Sequence, residues 1–202
     1  MNFKLVVAHY NESLEWLKIF PFNNMIVYTK GNKELESLYE VIKIPNVGRE
    51  ANTYLTYICE NYSNLPDIVV FTQGSDDHLS ASDIYKNLNI MNDNLNIMMS
   101  GHLYRQPSDT LFTSDNGRIS EWGGKTLIPA ESDFYTWFKK YIRNEIEESF
   151  YVYWNACFLV RRESILIRSL DFYKNLLKQT EIGESTEVAH FFERSWFYIF
   201  NN

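Results

Sequence analysis

The run Ile68-Val69-Val70-Phe71 constrains this chain more than any other segment. It is apolar at every position, with Leu65-Pro66-Asp67 before it and Thr72-Gln73-Gly74-Ser75-Asp76-Asp77-His78 after it. A strand with no polar face must be covered on both sides, which is the situation of an inner strand in a largely parallel sheet. Parallel neighbours are joined by crossovers, so helices must flank such a sheet. The abrupt passage to glycine and two acids marks the carboxyl end of the strand, where ligands of open α/β sheets collect.

Other segments repeat this alternation. Residues 3–8 form a second apolar run of strand length that ends in His9-Tyr10-Asn11-Glu12, and residues 13–20 predict a helix with Leu14, Leu17 and Ile19 inward. Short strands are expected at 25–28 and 42–44, the latter ended by Pro45. Residues 50–62 carry Ala51, Tyr54, Leu55, Ile58 and Tyr62 at helical spacing, with Gly48 at the mouth of the helix. A helix at 82–91, capped by Ser82-Asp83, precedes a strand at 96–99. Residues 104–128 are polar and rich in turn formers, and an irregular stretch of that length is functional or mobile in a compact domain. A helix at 132–148, a strand at 151–160, a helix at 162–179 and an aromatic helix at 186–200 close the pattern. With no repeat or linker, the expectation is one α/β domain over residues 1–202, a mainly parallel central sheet flanked by helices.

Composition narrows the function classes. The 202 residues suffice for one sizeable core, and 16% aromatics predict that it is built largely of Phe and Tyr. A net charge of −7 without any run of Lys or Arg argues against nucleic acid and anionic membranes as partners. The apolar start breaks at His9, too early for a transmembrane span or a signal peptide. Cys59 and Cys157 sit in apolar segments, which predicts reduced buried thiols and a cytoplasmic location. No GxxxxGK[ST] loop, GxGxxG turn, nucleophile elbow or CxxC pair occurs, which weighs against kinase, dehydrogenase, hydrolase and redox chemistries of the common kinds.

Several constellations could carry chemistry. Asp76 and Asp77 at a strand end suit a hard divalent cation that a diphosphate completes, and they suit equally a solvated turn with Asp77 capping the next helix. Glu187, His190 and Glu193 recur at three-residue intervals and project to one side of a helix, either as base and ligand or as a charged face. Gly48-Arg49-Glu50 places a guanidinium at a helix N-terminus, where anions are favoured, or forms a simple helix entry. His9-Tyr10-Asn11-Glu12 follows the first strand and could touch a base or ribose, while Asn11 could also cap the next helix. Trp122-Gly123-Gly124-Lys125 offers an aromatic platform for a sugar.

Val6-Val7-Ala8-His9-Tyr10-Asn11-Glu12, Asn46 through Leu55, Phe71-Thr72-Gln73-Gly74 and Phe192-Glu193-Arg194-Ser195-Trp196 together resemble a family catalogued as a domain of unknown function and likened to GT-A glycosyltransferases. The resemblance spans nearly the whole chain in order. It implies a GT-A-like domain that moves a sugar from a nucleotide-diphosphate donor to a glycan or protein hydroxyl, with Mn²⁺ or Mg²⁺. Taken with the constellations above, that reading has His9, Asn11, Arg49, Gln73 and Trp122 meet substrate. Asp76 and Asp77, with His190, hold the metal, and Glu187 or Glu193 is the base. Gln73-Gly74-Ser75 stands where such transferases usually carry an acidic lead-in. A noncatalytic carbohydrate- or nucleotide-binding module and a metal-dependent phosphoester hydrolase are the alternatives.

Overall fold

A computed structural model describes residues 2–35, 38–108 and 113–201, without the side chains of residues 113–114. Its centre is a six-stranded sheet in the order β3-β2-β1-β4-β8-β5. The strands are β1 (Phe3–His9), β2 (Met25–Thr29), β3 (Glu40–Lys43), β4 (Ile68–Gln73), β5 (Met99–Pro107) and β8 (Ser149–Arg161). β1 pairs in parallel with β2 and β4, and β2 with β3, while β8 runs antiparallel between β4 and β5. A short hairpin, β6 (Glu121–Trp122) and β7 (Lys125–Thr126), stands apart from it.

The sheet is covered on both faces, as the apolar run 68–71 of β4 requires. Val6, Val69, Phe71 and Phe158 point into one cluster, and their neighbours Leu5, Val7, Ile68, Val70 and Leu159 into another. Against the first cluster pack α1 (Arg49–Asn61), α4 (Phe134–Tyr141), α6 (Leu170–Gln179) and α7 (Glu187–Phe200). Here Trp196 lies 5.5–5.9 Å from the rings of Phe192, Phe158, Tyr54 and Phe200, an aromatic centre in keeping with the composition. The second face is closed by α2 (Ala81–Asp93) and a 3₁₀ turn at Glu15–Ile19.

Several elements differ from expectation. The helix expected at 13–20 is that 3₁₀ turn, and Ile19 is exposed because Pro21 follows too soon for a second turn to bury it. The cap of α2 is Ser80, in a reciprocal pair with Asp83, rather than Ser82-Asp83. The strand expected at 96–99 begins at Met99, because the Arg161 guanidinium takes the carbonyls of Met91, Asn94 and Ile97. Within 104–128, β5 continues to Pro107, a short α3 (Thr113–Asn116) and the hairpin follow, and residues 109–112 lie outside the described residues. The helix at 132–148 stops at Tyr141, since the chain must enter β8 where Ser149 pairs with Pro107. The stretch 162–179 is two helices, α5 (Arg162–Leu166) and α6, because Ser169 caps a new start by accepting from the Phe172 amide. Both cysteines are free, and among the described residues no helix is long and apolar enough to cross a membrane.

Candidate functional site

The chain leaves β1 toward β2 and β3 on one side, then crosses to β4 on the other. The boundary between β1 and β4 is therefore a topological switch point, and a cavity of about 310 Å³ opens at the carboxyl ends of these strands. Ala8, His9, Tyr10 and Glu12 come from the end of β1, Lys30 from the end of β2 and Gln73 from the end of β4. Asn46, Arg49 and Glu50 come from the entry to α1, Lys125 from the hairpin, and Glu184 and Ser185 from the turn before α7.

The wall at β1 is held by Glu12. Its carboxylate accepts from the amides of Tyr10 (2.8 Å) and Asn11 (3.1 Å) and lies against Gly74, where a Cβ would stand 2.7 Å from its oxygen. His9 is buried, with Nδ1 2.9 Å from the Thr29 hydroxyl and Nε2 3.2 Å from the Glu12 carbonyl. A carbonyl only accepts, so Nε2 carries the proton and Nδ1 accepts from Thr29. Burial holds the imidazole below its ordinary value, with the Glu12 carbonyl and charge opposing. Gln73 donates from Nε2 to the Asn155 carbonyl at 2.8 Å and so joins β4 to β8.

The opposite wall is the turn into α1. Gly48 and Arg49 both have left-handed backbone, φ 58° and 49°, and the Gly48 amide donates to the Gly183 carbonyl at 2.7 Å. Lys30 reaches under this turn and donates to the carbonyls of Val47 and Arg49. Burial lowers the Lys30 ammonium to about 8, against the pull of Glu50. Glu50 is pushed above the ordinary carboxylate value by burial and then by the charge of Glu193, with Arg49 and Lys30 opposing. The cavity thus holds Lys30, Arg49 and Lys125 with Glu12, Glu50 and Glu184, a lining suited to an anionic, hydroxyl-rich ligand.

Of the residues singled out from sequence, His9, Arg49 and Gln73 meet around this cavity. Asn11 is exposed beside it, with its side-chain oxygen accepting from the Lys33 amide. Asp76 and Asp77 occupy an exposed turn after β4 and do not line the cavity. His190 is buried on α7 beneath Trp122, with ring centroids 5.0 Å apart. Among the described residues no three His, Cys, Asp or Glu side chains are gathered as a metal ion requires, so Asp76, Asp77 and His190 do not form the expected centre.

Glu187 also differs from its expected role as base. Both of its oxygens are engaged, by Arg118 (2.7 Å) and by the amides of Ile119 (2.8 Å) and Ala130 (2.9 Å). A carboxylate saturated by donors and 1% exposed is a structural clasp that ties residues 118–130 to the start of α7. Arg194 likewise serves the fold, donating to the Gly117 carbonyl at 3.0 Å. Glu193 accepts from the Asn155 amide at 2.5 Å, at a bulge where Asn155 and Ala156 have φ 65° and 52°.

Lys30 was not named from sequence as a contact, and Glu12, Glu50 and Lys125 stood only within the runs 9–12, 48–50 and 122–125. Their signal is positional: each ends a strand, opens a helix or tips a hairpin on the carboxyl side of the sheet. Residues 5–202 match the model of a family described as a protein of unknown function (DUF3431), and the chain belongs to that family. No curated protein matches it.

Proposed function

We propose that this DUF3431 domain transfers a sugar from a nucleotide-diphosphate donor to a hydroxyl of a glycan or protein acceptor, as a cytoplasmic glycan-building enzyme. One observation carries the reading. The polar loop after β1, the Asn46–Arg49 turn and the end of β4, which are the segments of the GT-A resemblance, surround one cavity at a switch point. Cations from three segments, Lys30, Arg49 and Lys125, suit the diphosphate and the charge it gains as the sugar leaves. Glu12, Glu50 and Gln73 suit ribose and sugar hydroxyls. Among the described residues, Asp76, Asp77 and His190 are not gathered into a centre that fits Mn²⁺ or Mg²⁺.

The test is incubation with a panel of nucleoside-diphosphate sugars, with and without Mn²⁺, scored for released nucleoside diphosphate, alongside calorimetry of nucleoside diphosphate binding to wild type and Arg49→Ala. Release together with weaker binding by Arg49→Ala supports transfer. Binding without release favours a noncatalytic module, and release of nucleoside monophosphate with sugar 1-phosphate favours a phosphoesterase. Wild-type affinity in Arg49→Ala removes the cavity assignment.

A further inference from the structure

Next to the cavity lies a second polar cluster that the donor site does not use. His190 is 4% exposed, and its Nε2 has no hydrogen-bond partner among the described residues. Its Nδ1 faces Glu193 Oε2 at 3.9 Å, while Glu193 Oε1 is held by the Asn155 amide at the left-handed bulge of β8. Non-glycine residues in that conformation cost energy and persist where their surroundings hold them, often at functional sites. Here the bulge aims an amide at the carboxylate, and the carboxylate at the imidazole. Gln73 connects this cluster to the cavity, since it lines the cavity and donates to the carbonyl of Asn155, the residue whose amide holds Glu193; Glu50, also in the lining, feels the charge of Glu193.

Above His190 lies Trp122, 54% exposed, on the hairpin that also supplies Lys125 to the cavity. The amides of Ile119 and Ala130, on either side of the hairpin, are held by Glu187. At its tip, added Cβ atoms on Gly123 and Gly124 would meet nothing described within 4 Å. Fixed feet and an unpacked tip are the construction of a lid.

We propose that His190 is the catalytic base for the acceptor hydroxyl, that Glu193 is its positioning residue, and that Trp122 is the lid and sugar platform which admits the acceptor. The inference rests on the transfer reading and deepens it. The Glu193 carboxylate favours the tautomer with the proton on Nδ1, leaving the Nε2 lone pair free. The 3.9 Å separation closes by about 1 Å to a hydrogen bond, as catalytic contacts do on binding substrate. Nε2 takes the acceptor O–H proton as that oxygen bonds to the anomeric carbon. The bond from that carbon to the diphosphate oxygen breaks, and its electron pair leaves with the nucleoside diphosphate. The imidazolium so formed is balanced by Glu193 and returns its proton to water when the lid opens.

The chain has four histidines, so side-chain ¹⁵N spectra can be assigned by the signal that His190→Gln removes. Wild type should show the Nδ1–H tautomer at His190. Glu193→Gln keeps an oxygen for the Asn155 amide and turns an NH₂ toward Nδ1, so it should switch His190 to Nε2–H. Both variants should bind nucleoside diphosphate as wild type does and lose transfer by about 10²–10⁴-fold. An Nε2–H tautomer in wild type, or no change in Glu193→Gln, overturns the dyad whatever the activity. Nucleoside diphosphate release that survives both His190→Gln and Glu193→Gln removes the base and leaves the transfer reading intact. No release from any donor removes transfer and the base with it.

Discussion

Replacing Glu187 by alanine tests whether this carboxylate is a clasp. Three donors would lose their acceptor. The Arg118 pair measures 2.7 Å, but the guanidinium is 34% exposed, so water screens it to under about 1 kcal/mol. The Ala130 amide is buried and the Ile119 amide partly so, and hydrogen bonds to a charged group contribute roughly 1.5–3 kcal/mol each. With Ile119 at the low end, the loss is about 3–5 kcal/mol. For a domain of this size that corresponds to a fall in Tm of roughly 6–20 °C, readable by circular dichroism. Glu187→Gln retains one acceptor oxygen and should lose less. A Glu187→Ala melt within about 2 °C of wild type would refute the clasp. A base at Glu187 gives the reverse pattern, with an unchanged melt and lost transfer for Glu187→Gln.

Gly48→Ala forces a Cβ into left-handed backbone and to within 2.5 Å of Thr180, so it should lower the stability read from urea unfolding by at least about 1–2 kcal/mol; an unchanged midpoint contradicts this. Lys30, lowered to about 8 in the folded protein mainly by burial, keeps its proton to about 10.4 in the unfolded chain. Between about pH 8 and 10 the unfolded state therefore binds the extra proton, and stability through this group rises with pH. Wild type should gain on Lys30→Met when urea midpoints at pH 7 and 9.5 are compared, and a constant difference disproves the shift. Cys157, pushed up to about 11 by burial, should resist iodoacetamide at pH 8 until denaturant is added, as mass spectrometry would show; native labelling contradicts its burial.

The strands were legible where apolar residues dominate, at β1, β2, β4 and β8, broken only by single polar residues such as Lys4 and Asn155, because burial on two faces leaves little other pattern. Helix ends were less so. Phe134, Trp137, Phe138 and Tyr141 keep a helical period, and the charges that follow do not say where the chain must turn toward β8. His9, Arg49 and Gln73 could be picked out because each stands at the end of a strand or the start of a helix. That Lys30, Glu50 and Lys125 join them in one cavity required the order of the strands and the placement of the hairpin, which no local pattern carries. Asp76 and Asp77 misled for an electrostatic reason: two acids after a strand serve a metal or a wet turn equally well, and here they are exposed.

The cavity has two walls of different origin. One is made by the ends of β1, β2 and β4, whose residues are tied into a ladder and cannot shift without disturbing both cores. The other includes Lys125, next to a Gly123-Gly124 tip where added Cβ atoms would meet nothing described within 4 Å. Lengthening a loop at such a tip costs only about 0.6 kcal/mol per doubling. Sequence drift can therefore remodel the hairpin while the strand ends stay as they are. Within a lineage built on this fold, divergence in what enters the cavity should concentrate at the hairpin and spare the sheet.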